Sequence, residues 1–238
     1  MGLYIETRIR ADLDTLWERT QDPDRHQRWD LRFTEIAYLP GADDRPRHFR
    51  YATRVLPFLV VAGTGVSAGE RHRAGGDRVS ALRFSSPHPL SLLAEGSGYW
   101  RYVPTPDGIR FLTGYDYRPR WGRPGRLADR FVFRPLMGWA TAWSFDRLRL
   151  WCERGVTPER SRNHWLLELL ARALLVAAPL VLLPPAAAPL AVLGLVLPLL
   201  VLAVLVPPSP WTPAARRCLR TPPARTREPR LLATLEQP

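Results

Sequence analysis

The histidines are the first residues to consider for chemistry, because an imidazole can bind a metal or transfer a proton near neutral pH. The chain has five of them, which are His26, His48, His72, His88 and His164. None is spaced from another histidine as a metal motif requires, and none has a paired carboxylate or thiol at ligand distance. We therefore expect surface or turn positions for the histidines, and no metal site.

Two glutamates, Glu70 and Glu95, fall in segments predicted to be strands. A carboxyl group in an apolar pocket has a raised pKa and can act as a general acid or base. Because glutamate is usually exposed, we favour positions on the polar side of each strand. No serine, histidine and aspartate order and no setting for a cysteine nucleophile is recognisable, so no catalytic residue is predicted.

Cofactor motifs are equally weak. The glycines between Gly63 and Gly69 lack the helix that must open directly after a phosphate-binding loop. Cys152 and Cys218 have no short metal spacing, and two thiols in 238 residues are typical of a reducing compartment, with a disulfide left open. We predict no cofactor.

An apolar cavity is the other kind of site that the residues favour. Strand side chains alternate between two faces, which places aromatic and hydroxyl groups together on neighbouring segments. A later helical segment has small residues in its middle, which would leave space beneath a concave sheet. Such a wall is typical of small-molecule pockets, although the same aromatics could simply fill a core. The predicted cavity-lining residues are Trp100, Tyr102, Phe111, Thr113, Tyr115, Tyr117, Met137, Ala140 and Ser144.

The elements that must position these residues follow the order strand, two short helices, six strands and one long helix. Residues 3–10 alternate in polarity, and Asp12 can cap the first short helix. After Pro124-Gly125 the apolar period changes to about 3.6, and Pro135 should kink the helix or end a shorter one at Arg134. The further strand-like segments are residues 33–39, 47–56, 59–72, 78–85, 92–103 and 109–118. This order predicts an α+β domain with a curved antiparallel sheet of about seven strands around a long C-terminal helix.

The pattern resembles the START-like (SRPBCC) superfamily, which has the helix-grip fold and includes lipid-transfer and polyketide cyclase/dehydrase-like proteins. The residues that carry the resemblance are Ile5-Glu-Thr-Arg-Ile-Arg-Ala-Asp-Leu-Asp-Thr-Leu-Trp17, Asp22-Pro23, Trp29 and the closing helix, over about residues 3–155. Residues 98–111 and 133–140 are also similar to bacterial proteins that pair such a domain with DoxX-like membrane helices. The resemblance implies a cavity for a lipid-like or polyketide-like molecule. The alternatives are a cyclase, dehydrase or hydrolase that uses this cavity, or a fully packed interaction scaffold.

The C-terminal part has a different composition. No charged residue lies between Arg172 and Arg216, and residues 173–206 are too long for one straight crossing of a hydrocarbon core about 30 Å thick. Pro184-Pro185 interrupts this stretch. We predict a transmembrane hairpin with helices at 165–183 and 187–206, with a re-entrant or in-plane segment as the alternative.

The formal net charge is +12, and every basic residue is arginine. Arginines flank both outer ends of the hairpin, so the positive-inside tendency places both ends in the cytoplasm. Anionic lipid headgroups are therefore a simpler partner for the arginines than nucleic acid. The predicted organisation is a ligand-binding domain at 1–157, a linker at 158–164, the hairpin within 165–206 and a cytoplasmic Arg/Pro-rich tail at 207–238. We expect a protein of the inner (plasma) membrane that binds an apolar molecule or lipid without catalysis.

Overall fold

The computed structural model describes residues 2–40, 46–70, 76–183, 189–222, 229–236 and 238. Within them, seven strands form one antiparallel sheet with the order β1-β7-β6-β5-β4-β3-β2. The strands are β1 (Leu3–Ile9), β2 (Glu35–Tyr38), β3 (Arg47–Leu56), β4 (Leu59–Glu70), β5 (Arg78–Ser85), β6 (Leu93–Thr105) and β7 (Gly108–Pro119). The helices are α1 (Leu13–Gln21), α2 (Pro23–Trp29), α3 (Gly122–Ala128), α4 (Arg134–Arg154), α5 (Pro158–Leu182), α6 (Pro189–Leu205) and α7 (Arg230–Ala233).

The long helix α4 packs against the sheet at β1, and α1 and α2 connect β1 to β2. Each strand from β2 to β7 pairs with the next one along the chain, and β1 pairs with β7. This arrangement is the α+β helix-grip fold, so the fold class predicted for the first part of the chain is confirmed.

Short-range capping accounts for the two short helices. The Asp12 side chain accepts a hydrogen bond from the Thr15 backbone N at 2.8 Å, and Asp22 caps α2 in the same way. Pro23 occupies the first turn of α2, where its missing N–H is not needed.

The long helix begins where the proline predicted a boundary. A π-helical turn at Asp129–Phe133 joins α3 to α4, and Pro135 lies in the first turn of α4. Helix α4 ends at Gly155, whose φ of 65° is left-handed and suits glycine.

Residues beyond the apolar segment return to the same compact unit as the sheet. One unit comprises residues 1–155 together with 214–238, and the second comprises 156–213. The buried Asp146 on α4 accepts hydrogen bonds from the Ala214 backbone N at 2.8 Å and from Arg217 at 2.9 Å. Leu219 forms an isolated antiparallel bridge with Glu6. This differs from the expected separate tail at 207–238, because a buried carboxylate fixes the returning chain.

The last described residues cover the outer face of the sheet. Leu232 and Leu235 are buried in one apolar cluster with Tyr4, Tyr99 and Leu112. The outer face of β1, predicted to be polar, is therefore partly covered by the chain's own C-terminal segment.

The second unit contains α5 and α6, which pack against one another. Residues 158–164, predicted to be a linker, form the first turns of α5 because Thr157 caps that helix and Pro158 starts it. Glu168 and Arg172 pair one helical turn apart at 2.5 Å, and Arg172 also donates to the Ala203 carbonyl oxygen. By length and composition α5 is long and apolar enough to cross a membrane, whereas the apolar helix Leu190–Leu205 is shorter. Pro184-Pro185 lies outside the described residues.

Candidate functional site: a cavity beneath the long helix

A cavity of about 590 Å³ lies between the sheet and α4. Its walls come from strands β2 to β7, from the first turns of α4 and from the segment around α2. Most of the lining is aromatic or aliphatic, with a small number of hydroxyl and charged groups. Its volume falls within the range of about 300–1,000 Å³ that is usual for small-molecule sites.

Five of the nine predicted lining residues line this cavity. They are Trp100, Thr113, Tyr115, Met137 and Ala140. The strand residues share the concave face of β6 and β7, and the helix residues lie on the facing side of α4, as their spacing predicted. That they bind a ligand stays a prediction.

The structure places the other four outside the cavity lining. Tyr102 is fully buried, with its hydroxyl 2.6 Å from Thr20 Oγ1, and Phe111 stacks on Phe145 at a centroid distance of 4.5 Å. The Tyr117 hydroxyl donates to Asp129, and Ser144 Oγ accepts from the Leu31 backbone N at 2.9 Å. These side chains lie on the predicted face of their strand or helix, but at positions where α1, α4 or the π-helical turn packs against the sheet.

The opposite wall of the cavity was not predicted. Phe49 and Tyr51 on β3 point inward together with Phe33 and Phe84. The Tyr51 ring lies edge-on to Phe33 and Phe84, and burial raises the pKa of its hydroxyl to about 12. The alternation of Phe49 and Tyr51 along one strand was the available signal for this wall.

A buried polar cluster forms one side of the cavity. His26 and Arg32 both line the cavity, and Asp30, which does not line it, contacts both of them. His26 Nε2 lies 3.0 Å from Asp30 Oδ2, and Arg32 binds the same carboxylate through Nε at 2.9 Å and Nη2 at 2.6 Å. This corrects the expectation that His26 is a surface or turn residue, because Trp29 and Trp100 pack against its ring.

Burial and charge set the protonation of this cluster. Burial lowers the pKa of His26, and the hydrogen bond to Asp30 offsets this only in part. Burial alone would raise the pKa of the Asp30 carboxyl, but Arg32 and His26 outweigh it and hold that pKa well below its usual range. At neutral pH the site therefore contains a neutral imidazole, a carboxylate and a guanidinium. Since a carboxylate only accepts, His26 Nε2 carries the proton and Nδ1 is the basic nitrogen of the ring.

A tyrosine connects this cluster to the long helix. The Arg32 guanidinium lies 5.6 Å from the centre of the Tyr115 ring, and the Tyr115 hydroxyl is 3.3 Å from Thr141 Oγ1 on α4. Burial raises the pKa of Tyr115, so its hydroxyl stays protonated, and it donates to Thr141 because the Thr141 hydroxyl itself donates to the Met137 carbonyl oxygen at 2.7 Å. The cavity thus combines a buried polar cluster on one side with mainly apolar walls, which fits an amphipathic molecule.

The remaining candidates for chemistry lie elsewhere. Glu95 pairs with Arg118 at 3.2 Å on the surface and does not line the cavity. The side chain of Glu70 and all of His72 lie outside the described residues. His48 is exposed, and among the described residues no group of three or more histidine, cysteine, aspartate or glutamate side chains could hold a metal ion.

A second depression of about 730 Å³ runs over the outer face of β6 and β7 beside α7. It is open to solvent and lined largely by charged and small residues, including Arg83, Glu95 and Asp116. An apolar molecule would remain in contact with water there, so the cavity beneath α4 is the better candidate site.

Comparison of the sequence with those of known proteins identifies a relative. No protein-family profile matches the chain. A Bacillus subtilis (strain 168) protein named "Uncharacterized membrane protein YndG" is 50% identical over 159 residues, which is 66% of this chain and 59% of that protein. The chain therefore spans less than two thirds of the length of this relative.

Solved structures with a similar arrangement are distant in sequence. The di-domain aromatase/cyclase StfQ from the steffimycin biosynthetic pathway aligns with a TM-score of 0.48 at 13% identity, covering 62% of this chain and 48% of that one. A START superfamily protein from Mycobacterium smegmatis aligns with a TM-score of 0.43 at 16% identity, covering 61% and 94%. These proteins are similar to this chain in fold, and no activity follows for it.

Proposed function

We propose that the protein is a membrane-attached member of the START-like superfamily that binds an apolar or amphipathic small molecule, lipid-like or polyketide-like, in the cavity beneath α4. The observation that carries this proposal is the cavity of about 590 Å³, with mainly aromatic and aliphatic walls and the polar groups of His26 and Arg32 on one side. A protein that needed only a packed core would fill such a volume, because an empty cavity costs stability.

The test is to identify what the cavity holds. The full chain would be purified in nanodiscs built from one defined synthetic lipid, and molecules extracted from it would be analysed by mass spectrometry. We expect an apolar or amphipathic molecule other than the nanodisc lipid, at near-stoichiometric amount.

A pair of matched variants separates cavity binding from adhesion to the apolar helices. Ala140→Leu adds bulk inside the cavity, whereas Ala233→Leu makes the same change at an exposed position outside it. Loss of the molecule from Ala140→Leu alone supports the proposal. Equal retention by both variants, or no retained molecule in the native chain, contradicts it.

A second candidate function is an acid–base enzyme of the cyclase, dehydrase or hydrolase type. The observation that favours it is the buried His26–Asp30 pair, since a carboxylate that orients a neutral imidazole leaves a basic nitrogen for proton transfer.

The bound molecule also distinguishes binding from catalysis. If His26 is a base, native protein should retain a product, and the His26→Gln variant should retain a precursor with a different mass or chromatographic retention. An identical molecule in both proteins would support binding alone.

Attachment to the membrane is proposed to occur through a hairpin of α5 and α6. Both Gly155, where the chain leaves the first unit, and Ala214, where it returns, belong to one compact unit. A folded unit lies on one side of a bilayer, so the segment between them crosses an even number of times or not at all. Helix α5 would be about 37 Å long and α6 about 26 Å, close to the hydrocarbon thickness of about 30 Å.

Topology is measured with a membrane-impermeant maleimide and with reporters at both termini. Reporters at residues 1 and 238 should both be cytoplasmic at the inner membrane. A Leu183→Cys thiol should react only from the opposite face if the segment is a hairpin. Reaction from the cytoplasmic face indicates an in-plane segment, and termini on opposite sides contradict the proposal.

A further inference from the structure

One end of the sheet carries a surface of exposed apolar side chains. The β3–β4 turn, the β5–β6 connection and the end of β7 meet at this end because consecutive strands are antiparallel. Most of the large apolar side chains that are exposed in the described part of the first unit lie here. We call them the mouth surface, and its members are Leu31, Phe58, Leu90, Trp121, Leu127, Phe131, Val132 and Leu136.

The mouth surface surrounds the opening of the cavity. Leu31, Leu90 and Leu136 are exposed to solvent and also line the cavity. Phe58 is 85% exposed and Phe131 is 67% exposed, which is unusual for phenylalanine on a protein that faces only water. Exposed apolar side chains grouped at one end of the sheet, beside a cavity opening, indicate a surface that is covered by a partner.

Trp121 is held on this surface by its own backbone and side chain. Its φ of 65° is left-handed, a conformation that non-glycine residues rarely adopt. The indole Nε1 donates to the Pro89 carbonyl oxygen at 3.1 Å, which connects the start of α3 to the β5–β6 connection. Amphipathic tryptophan side chains are typical of the boundary between lipid and water.

The charge along residues 118–136, beside the mouth surface, is predominantly positive. Six arginines and a single acidic residue, Asp129, occur there. Arg123 and Arg126 on α3 and Arg130 on the π-helical turn that follows it are all exposed. Leu127 and Phe131 are exposed on the same segment.

We propose that the mouth surface docks onto an anionic lipid bilayer. Leu127 and Phe131 enter the interface, and Arg123, Arg126 and Arg130 bind lipid phosphate groups. A second copy of the chain fits this surface poorly, because docking two such surfaces would place like charges against one another. The proposal does not depend on the cavity holding a ligand, but it places the cavity opening against lipid.

The test measures thiol protection in the full chain reconstituted into vesicles. A Phe131→Cys thiol on the mouth surface is compared with an Ala37→Cys thiol, which lies at an exposed position of the edge strand β2, outside the mouth surface. Ala37→Cys gives the fraction of outward-facing chains, and the native chain gives the background from Cys152 and Cys218. The reagent is a large impermeant maleimide.

In phosphatidylcholine vesicles with about one third phosphatidylglycerol, Phe131→Cys should react more than about tenfold more slowly than Ala37→Cys. High salt, neutral vesicles, or Arg123→Gln, Arg126→Gln and Arg130→Gln together should restore most of the reaction rate, since each removes the attraction to headgroups. Unchanged melting temperatures of the variants exclude a folding defect.

Three results would overturn the proposal. Equal reaction at both thiols means that lipid does not cover this surface. Protection that is the same in neutral and anionic vesicles means that the arginines do not select the partner. Protection that disappears when the protein is diluted in excess lipid means that a second copy is the occupant.

Discussion

Arg217 Nη1 lies 2.9 Å from Oδ2 of Asp146, a carboxylate with no solvent exposure on the long helix. The apolar segment separates these two residues in the chain, yet the contact belongs to one compact unit. Asp146 also binds Arg149 and the Ala214 backbone N, so its carboxylate is shared by the helix and by the returning chain.

Replacing this carboxylate should release the returning segment. In Asp146→Asn the charge that holds Arg217 and Arg149 is lost, and we expect tryptic cleavage after Arg216 or Arg217 to accelerate by about tenfold or more. Limited proteolysis followed by mass spectrometry measures this. Glu95→Gln, which removes one surface ion pair, serves as control. Equal cleavage rates in both variants would show that Asp146 does not hold the segment.

Removing the carboxylate behind the cavity should destabilise the fold. Asp30→Asn leaves the buried Arg32 without its bidentate partner, and loss of one member of a buried ion pair costs about 3–5 kcal/mol. This corresponds to a fall in melting temperature of about 6–20 °C for a unit of this size. Thermal unfolding followed by circular dichroism should show no comparable change for Glu35→Gln, whose ion pair with Arg50 is exposed.

Acidification should destabilise the protein through His26. Its pKa is lowered in the folded state, so the unfolded chain binds the proton more readily and stability falls as the pH drops below about 6.5. Asp30 adds no slope there, since its carboxyl stays ionised in both states down to about pH 4. Melting temperatures between pH 8 and pH 5 should fall less steeply for His26→Gln. The same slope in both proteins would assign the pH dependence to other groups.

Truncation should distinguish the packed core from the cavity wall. Phe111 is fully buried against Phe145, so Phe111→Ala should cost about 3–5 kcal/mol. Met137 lines the cavity and is only partly buried, so Met137→Ala enlarges an existing space and should cost clearly less. Chemical denaturation of both variants measures the difference. Similar costs would indicate that the cavity is packed in solution.

The sequence anticipated the elements because their signals are local. Alternation along residues 3–10 predicted β1, Asp12 predicted a helix start, and Pro135 indicated a break in the helix at Arg134, where α4 begins. The same alternation placed Trp100, Thr113 and Tyr115 on the concave face that the cavity uses.

Alternation does not predict which residues of one strand face lie in the cavity and which lie in the packed core. Tyr102 and Phe111 are on the same sheet face as the cavity residues, but residues of α1 and α4 pack against them. The extent of the cavity could not be predicted from the sequence, because it depends on where distant helices pack.

The sequence by itself determined the strand and helix pattern and the apolar character of residues 173–206, since both follow from local residue types. Only the tertiary structure decided that His26 is buried beside Asp30, and that Arg217 returns to Asp146. The physical reason is that a buried charge must be paired or hydrogen-bonded, and the residue that meets it in the folded chain can be distant in sequence.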